Sequence, residues 1–321
     1  MIGINLAKAS YSQNESTESG QLQPLAKATP PRAYITSYNI FKRDYSKIIQ
    51  CQINPATGAF SRCGDTGATG LNNPGMVVLN QQGTRAFIVN SASNRVVQCK
   101  VDQLTGNFSN CGDTGASKLS QPASITLNKK GTRAFVANFA DSKIIACHVD
   151  SATGNFSNCI DTGGYGFSHS SDIVLNKEEN RAFVLSLWGG RVNVCEVDPV
   201  TRQFSQCHNA GATGLYIPSE MAFNGAGDQA YITSQGDSKV VHCNVDVATG
   251  KFSACGDTGA TEVYVPTGIA VNPEGTRAYV VNTYAGQVTQ CKINPDSGMF
   301  SHCANAGASL LKYPDGIHIH W

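Results

Sequence analysis

Residues 74–111 read PGMVVLNQQGTRAFIVNSASNRVVQCKVDQLTGNFSNC, and close variants of this stretch fill nearly the whole 321-residue chain. The first cysteine of each copy recurs every 48 residues, at Cys51, Cys99, Cys147, Cys195, Cys243 and Cys291. The second cysteine follows the first by 12 residues, at Cys63, Cys111, Cys159, Cys207, Cys255 and Cys303. A fixed period of about 20–50 residues indicates a repeat architecture, so one repeated unit decides the fold.

Each copy contains four short runs of strand-forming residues, separated by turn-forming Gly, Pro, Asn, Asp and Ser. In the quoted copy these runs are residues 76–79, 86–89, 95–101 and 108–111, and they predict four antiparallel strands. The first two runs are apolar on both faces, which is typical of a sheet covered on both sides. The later runs are more polar, as an outer edge requires. Such a unit is a β-propeller blade.

The copies predict an all-β protein, a six-bladed β-propeller of four-stranded antiparallel blades. Residues 1–31 lie outside the repeat and are interpreted as a polar N-terminal tail or linker, whereas residues 32–321 form the propeller. Blade 1 combines residues 32–65, which lack a first strand, with the first strand of residues 314–321. Blades 2–6 are residues 74–111, 122–159, 170–207, 218–255 and 266–303. The two ends of the repeat region therefore complete one blade and close the ring.

The cysteine pair of each copy is predicted to face across the third and fourth strands, around the turn near Thr105 in blade 2. Opposed residues at such a site have Cα atoms about 4.5 Å apart, within disulfide reach. Six disulfides indicate an oxidising compartment, so we expect an exported protein, periplasmic or extracellular. Zinc binding and reduced cysteines packed as small apolar residues are the alternatives. No signal peptide is visible, because no apolar stretch precedes the cleavage-like segment Ala7-Lys8-Ala9.

Two segments resemble the YVTN-type β-propeller repeat family. Residues 269–276 read IAVNPEGT and residues 277–282 read RAYVVN, which match an apolar strand, an Asn-Pro-x-Gly-Thr turn and a Tyr-Val-x-Asn strand. The resemblance covers residues 32–321 and implies a propeller fold. Its members include lactonase-like and exported proteins, and the cysteine pair in each blade is similar to a subset of exported bacterial propellers. No segment matches a lactonase active site residue by residue, so the resemblance assigns no catalytic residue.

Charge and hydropathy exclude two classes of partner. The net charge is +1 and only 15% of residues are charged, so we expect no nucleic-acid partner. No segment approaches the roughly 18 apolar residues of a membrane span. We expect a monomer that binds an unidentified protein or small molecule.

The starts of the first strands and the ends of the second strands should share one face of the disc, near its axis. Three carboxylates fall at these starts, Asp172, Glu220 and Asp315, with His169 just before blade 4. The second strands end near Asn90, Asn138 and Asn282, and aromatic residues follow several of them: Tyr38, Phe139, Trp188 and Tyr284. With Tyr165, these residues are the candidate ligand-binding site.

Two interpretations of this face compete. Asp172, Glu220 and asparagine side chains offer the oxygen ligands that a divalent cation such as Ca²⁺ or Mg²⁺ prefers, and His169 would be the nearest general base. Alternatively, these polar groups only bond to water and loop backbone in a wet channel, which we favour because paired carboxylates alone are a weak signal. No cofactor is therefore firmly predicted.

Blade 4 departs most from the other copies, with Ser170 in place of proline and the runs YGFSH (165–169) and LWGG (187–190). Exposed aromatic residues on a rigid scaffold are typical of recognition surfaces, so Trp188, Tyr165 and Phe41 are predicted to contact a partner. Sequence drift in one repeat is the competing explanation.

Other recurring polar residues have simpler interpretations. The aspartates of the Gly-Asp-Thr-Gly-type segments, such as Asp65 and Asp113, are predicted to cap their own turns, with weak calcium sites as the alternative. His318 and His320 share one side of the closing strand, where packing between blades is favoured over a metal pair.

The sequence thus favours an exported, disulfide-stapled propeller that acts as a binding or scaffold module on the face of the first-strand starts. An enzyme is not favoured, because no nucleophile–base pair is identifiable. The alternative is a metal-dependent, lactonase-like hydrolase with its site in the central channel. A purely structural role in a surface layer ranks third.

Overall fold

The computed structural model describes residues 30–38 and 45–321, which form six four-stranded antiparallel sheets. The predicted six-bladed, all-β propeller is confirmed. Nearly all of the predicted tail and the segment 39–44, which includes Phe41, lie outside the described residues. Within the described residues, no helix has the length and apolar character needed to cross a membrane.

The strands are numbered β1–β24 in chain order, and each blade uses four of them. The innermost strands are β24 (Tyr313–His320), β4 (Pro74–Leu79), β8 (Pro122–Leu127), β12 (Ser170–Leu175), β16 (Pro218–Phe223) and β20 (Pro266–Val271). The second strands are β1 (Arg32–Tyr38), β5 (Arg85–Asn90), β9 (Arg133–Asn138), β13 (Arg181–Ser186), β17 (Gln229–Ser234) and β21 (Arg277–Asn282).

The outer half of each blade is more polar than the inner half. The third strands are β2 (Ser46–Ile53), β6 (Arg95–Val101), β10 (Ile144–Val149), β14 (Arg191–Val197), β18 (Lys239–Val245) and β22 (Gln287–Ile293). The outermost strands are β3 (Phe60–Asp65), β7 (Phe108–Asp113), β11 (Phe156–Asp161), β15 (Phe204–Asn209), β19 (Phe252–Asp257) and β23 (Phe300–Asn305). Two short 3₁₀ turns, Ser91–Ser93 and Gln235–Asp237, follow second strands.

The ring closes as predicted, because β24 pairs antiparallel with β1. Ile35 lies opposite Ile317 and Ala33 lies opposite Ile319. All four side chains are buried, so the joint between the two ends of the repeat region is packed like any other blade.

Six disulfides form within blades, as predicted, and their Cα atoms lie 4.1 Å apart. The local geometry differs from the regular ladder expected from the sequence. In each outermost strand the residue before the second cysteine has a positive φ, for example 49° at Asn110, and the register with the third strand shifts there. The second cysteine therefore lies at a β-bulge, which brings the two backbones close together.

The core consists of aromatic stacks between neighbouring blades. One ring from each second strand packs on the phenylalanine that opens the outermost strand of the next blade, with centroids 5.1–5.8 Å apart. The pairs are Tyr34–Phe108, Phe87–Phe156, Phe135–Phe204, Phe183–Phe252, Tyr231–Phe300 and Tyr279–Phe60. Because both faces of each sheet are covered in this way, the second strands are buried along most of their length.

At three of these stacks, an arginine of one blade bonds to the outer turn of the next blade, an arrangement here called a latch. Arg32 and Arg85, at the first positions of their second strands, each donate to two backbone carbonyls in the outer turn of the next blade. Each also bonds to a glutamine of its own third strand, Gln50 or Gln98. The turn glycine is required on two grounds: Gly106 has φ of +76°, and an added Cβ would lie 2.5 Å from Cδ of Arg32.

Between blades 3 and 4 the latch runs in the opposite direction. Arg202 replaces the turn glycine, with φ of 67°. Its Nη1 donates back to the carbonyls of Ala146 and Asn158 in blade 3, at 3.2 and 3.0 Å. Blades 3 and 4 are therefore also bridged by a guanidinium, but here it comes from blade 4 instead of blade 3.

The latch contribution can be measured with two glycine variants that share a backbone conformation. Gly106 has φ of +76° and contacts Arg32, whereas Gly214 has φ of +75° and has no atom within 4 Å of an added Cβ. We expect Gly214→Ala to lower the free energy of unfolding by about 1–2 kcal/mol, the cost of the left-handed backbone alone. Gly106→Ala should cost about 1–3 kcal/mol more, because displaced Arg32 leaves carbonyls without a donor. Urea denaturation measures both, and equal losses would show that the latch adds no stability.

Candidate functional site

The central channel opens on both faces of the disc. On the upper face, where the innermost strands begin, it widens into a cavity of about 350 Å³, here called the upper basin. On the lower face it opens into a more apolar cavity of about 450 Å³. Both cavities are bounded by Met76, Ser124, Asp172 and Glu220. These side chains therefore form the waist of the channel.

Asp172 joins three blades at the waist. Its Oδ1 accepts hydrogen bonds from Ser124 Oγ at 2.6 Å and from the backbone N–H of Ile173 at 2.8 Å. Its Oδ2 accepts one from the backbone N–H of Met221 at 2.9 Å. Burial raises the pKa of Asp172 to about 6, although these hydrogen bonds oppose the rise.

Glu220 reaches in the other direction around the ring, toward blades 6 and 1. The backbone N–H groups of Ile269 and Ile317 donate to its carboxylate. The side chain has room because the next copy carries Gly268, where an added Cβ would lie 2.9 Å from Oε2 of Glu220. Burial, followed by the negative charges of Asp172 and Asp315, holds the pKa of Glu220 well above its usual range.

Asp315 differs from both waist carboxylates. It lies half-buried on the wall of the upper basin, and its carboxylate has no hydrogen-bond partner among the described residues. Burial raises the pKa of Asp315 to about 6. Nearby Tyr38 also lines the basin, and burial together with the charge of Asp315 raises the pKa of its hydroxyl. Asp315 is therefore the carboxylate most accessible to a ligand.

The predicted asparagine ligands do not join these carboxylates. The side-chain amides of Asn90, Asn138 and Asn282 donate to backbone carbonyls of the preceding loops. Among the described residues, no group of three or more His, Cys, Asp or Glu side chains could hold a metal ion. The hydrogen bonds of these asparagines use the Nδ2 atoms, and Asn138 Oδ1 has no hydrogen-bond partner among the described residues.

His169 is likewise placed away from the waist. Its ring packs between Phe139 and Trp188, with centroids at 5.0 and 6.1 Å, and it does not line the upper basin. A positive φ of 52° turns the residue out of the line of β12. His169 as the nearest general base stays a prediction.

Two aromatic clusters flank the basin. The tryptophan cluster consists of Phe139, His169 and Trp188 from blades 3 and 4. The tyrosine cluster consists of Tyr38, Tyr284 and Tyr313 from blades 6 and 1, with centroids 6.2–6.4 Å apart. These positions are three steps apart in a ring of six blades, so the clusters face each other across the mouth of the channel.

Each cluster presents one ring to solvent and one to the basin. Trp188 and Tyr284 are 63% and 66% exposed, whereas Phe139 and Tyr38 line the basin wall. Tyr165 is also exposed but lines no part of the basin.

Five residues that line the basin occupy the same position of the repeat, and this shared position was not predicted from the sequence. The residue directly after each second strand, or its last residue in blade 1, lines the basin in five blades: Tyr38, Ser91, Phe139, Leu187 and Gln235. Trp188 and Tyr284, which were predicted to join Tyr38 and Phe139 in one site, lie one position later in the repeat. Aligning the copies strictly on the cysteine period would have separated the two sets.

The other predicted polar features are structural. Asp65 and Asp113 accept hydrogen bonds from the backbone N–H groups of Gly67 and Gly115, which confirms turn capping. His318 lines the lower cavity, and burial lowers its pKa to about 4.

Burial of Asp172 predicts a specific dependence of stability on pH. The folded state retains a proton at this carboxyl up to about pH 6, whereas the unfolded chain releases it near pH 4. The contribution of Asp172 to the free energy of unfolding should therefore fall as pH rises from about 4 to about 6, by about 3 kcal/mol in total. Buried His318 has the opposite effect on stability. As pH falls toward 4, the unfolded chain takes up a proton at this histidine before the folded protein does, and the free energy of unfolding decreases.

Comparison with Asp172→Asn separates the two effects, since the histidine contribution is common to both proteins. We expect the unfolding free energy of wild type minus that of the variant to decrease between pH 4 and 7, in urea titrations at fixed ionic strength. A difference that stays constant across this range would contradict the assignment of a raised pKa.

Solved structures with the same architecture come from several sources. A candidate 6-phosphogluconolactonase from Bacteroides fragilis has a TM-score of 0.66 at 13% identity, with 92% of this chain and 99% of that chain covered. The periplasmic gluconolactonase of Pseudomonas aeruginosa has a TM-score of 0.61 at 15% identity, covering 90% and 98%. A chain of a nidogen/laminin complex has a TM-score of 0.70 at 10% identity, covering 91% and 98%. At these identities the likeness shows the fold alone.

The sequence itself matches a family model over most of its length. The model described as "Lactonase, 7-bladed beta-propeller" matches residues 32–163 and 164–310. A search of curated proteins finds no significant match. With six blades where the family description names seven, this chain belongs to the lactonase family of β-propellers.

Proposed function

We propose that the protein binds a small, hydroxyl-rich ligand, a sugar or a sugar lactone, in the upper basin. The observation that carries the proposal is the half-buried carboxylate of Asp315, which faces the basin without a hydrogen-bond partner among the described residues. A desolvated carboxylate of this kind is stabilised when a ligand donates hydroxyl groups to it. Asp172 and Glu220, in contrast, are already bonded to protein donors.

The rest of the basin fits the same class of ligand. Ser219 and Gln235 line it with a hydroxyl and an amide, which can both donate to and accept from sugar hydroxyls. The clusters that contain Trp188 and Tyr284 supply apolar ring faces on opposite sides of the mouth. A concave pocket with apolar walls and a few convergent polar groups is typical of small-molecule sites.

Three further parts of the functional assignment accompany this proposal. Six disulfides favour an exported protein, periplasmic or extracellular, because such bonds persist in oxidising compartments. Within the lactonase family, the closer resemblance to YVTN-type repeats and to exported paired-cysteine propellers stays a prediction. So do the monomeric state and a protein partner on the upper face.

Binding should depend on the basin and on both clusters. With a panel of aldoses, aldonic acids and aldonolactones screened by isothermal titration calorimetry, we expect wild type to bind at least one member. Asp315→Asn should weaken that binding by about 10- to 100-fold, the loss expected for a charged hydrogen-bond acceptor. Trp188→Ala and Tyr284→Ala should each weaken it by about 2- to 10-fold through lost ring contact.

Tyr264→Ala is the matched control, because Tyr264 is 61% exposed but lines no part of the basin and belongs to neither cluster. It should leave the affinity unchanged. If Tyr264→Ala weakened binding as much as Trp188→Ala, the ligand would sit on the outer loops and the basin assignment would fail.

Hydrolysis of a bound lactone is the second candidate function, favoured by family membership and by the protonation behaviour of Asp315. With a pKa of about 6, this carboxylate is ionised at neutral pH and basic enough to take a proton from an attacking water. In that reaction the hydroxide oxygen bonds to the lactone carbonyl carbon, the ring C–O bond breaks, and the proton passes to the leaving alkoxide.

Lactone turnover distinguishes the two functions. An enzyme should hydrolyse glucono-δ-lactone faster than the spontaneous reaction, with a rate that rises with pH through about 6 and is lost in Asp315→Asn. Calorimetric binding without any acceleration would leave the protein as a binding module.

A further inference from the structure

The junction between blades 4 and 5 departs from the latch described above. At the three complete latches, Arg32, Arg85 and Arg277 each bond to two carbonyls of the next blade and to a glutamine of their own blade. Arg181 makes a single hydrogen bond, to the carbonyl of Val247, at the long distance of 3.4 Å. Most donors of its guanidinium are therefore uncommitted among the described residues.

Two substitutions in the repeat explain the difference. Val194 stands where Gln50, Gln98 and Gln290 stand in blades 1, 2 and 6, so Arg181 lacks its side-chain acceptor. Phe223 stands at the end of β16, where the other innermost strands carry Leu, Ile or Val. Its ring packs edge-on against Phe183 at 5.0 Å and against Phe252 at 6.4 Å. The usual aromatic pair of a junction is thus a triad here.

A cavity of about 270 Å³ lies in this junction on the lower face, and it shares Val174 with the lower opening of the channel. Phe183, Phe223, Val174 and Val245 form its walls, and Arg181 lies on its lining. The surface is mostly apolar, with one incompletely bonded guanidinium. This combination favours a ligand with an apolar body and one anionic group.

One acidic neighbour is particular to this latch, because Glu196 lies opposite Arg181 on β14, where the complete latches carry Gln52, Lys100 and Lys292. Its carboxylate accepts a hydrogen bond from Gln206 Nε2 at 2.9 Å and forms no ion pair with Arg181 within 4.0 Å. Asp246 lines the cavity, but its Oδ1 accepts from the backbone N–H groups of Ala248 and Thr249, as turn aspartates do in the other blades. It makes no ion pair with Arg181 within 4.0 Å. Lys177 and Glu178, also on the lining, carry opposite charges.

From this geometry we propose that the cavity between blades 4 and 5 is a second binding site, for a small aromatic carboxylate. The aromatic ring packs against Phe183 and Phe223, and the carboxylate accepts the free donors of Arg181. The ligand thus supplies the acceptor that glutamine supplies in other blades. The site is independent of the upper basin, because the two cavities share no residue.

The repeat itself provides conservative variants for a test. Arg181→Gln installs the residue found at this position in blade 5, Gln229, and Phe223→Leu installs the residue of β4, β8 and β12. Val194→Gln restores the glutamine acceptor of blades 1, 2 and 6. All three residues already fit this fold, so folded variants are expected, and circular dichroism melting checks each one.

The probe is 3-phenylpropionate, with uncharged 3-phenylpropanol for comparison, titrated by calorimetry and by ligand-observed NMR. Wild type should bind the acid at least about 10-fold more tightly than the alcohol. Arg181→Gln should remove the preference for the acid, and Phe223→Leu should weaken the binding of both ligands. Val194→Gln should weaken binding of the acid alone, because the new glutamine accepts hydrogen bonds from Arg181. Arg277→Gln, the same change at a complete latch, should leave binding as in wild type.

Three results would overturn the proposal: no binding of the acid by wild type, equal binding of acid and alcohol, or equal losses in Arg181→Gln and Arg277→Gln. Phe223→Leu and Val194→Gln keep the test decisive if Arg181→Gln fails to fold.

Discussion

Every feature of this propeller depends on how one blade covers the next. The second-strand ring of each blade lies on the opening phenylalanine of its neighbour's outermost strand, with nearly the same spacing at all six junctions. An interior packed this closely tolerates little change in side-chain volume or backbone position. The constant cysteine period follows from this constraint, because each blade must present the same surface to the next.

The axis is free of that constraint, and its residues differ accordingly. The third residue of the innermost strand, or its equivalent in β24, is Met76, Ser124, Asp172, Glu220, Gly268 and Gly316 around the ring. Stability rests on the junctions, so this ring of positions can hold buried carboxylates that would otherwise be costly. Asp172 and Glu220 are tolerated because backbone N–H groups of neighbouring strands satisfy them. Asp315 has no such donor among the described residues, which is why the proposed ligand is placed at its carboxylate.

Strand positions, ring closure and disulfide pairing could be predicted because each follows from repeat length and turn chemistry. The convergence of Asp172, Glu220 and Asp315 also followed from topology. Side-chain direction could not be predicted: Asn90 turns to a loop carbonyl and His169 to an aromatic cluster. Both side-chain directions depend on loop conformation. The bulges could not be predicted either, because residues such as Asn110 have a positive φ without being glycine. The free donors of Arg181 beside the cavity depend on Val194, which replaces the glutamine of other blades. A valine in a strand gives no sign of this in the sequence, because the contact between the two positions is seen only in the folded blade.

Closure by β24 links the basin to the joint between the first and last strands. This strand follows all others in the chain, yet it supplies the innermost position of the first blade. Until it docks, β1 keeps an open hydrogen-bonding edge and Glu220 lacks the N–H of Ile317. Asp315 lies on the same strand, so the basin has its accessible carboxylate only when β24 is paired with β1. Binding of the proposed ligand on the upper face would therefore require a closed ring.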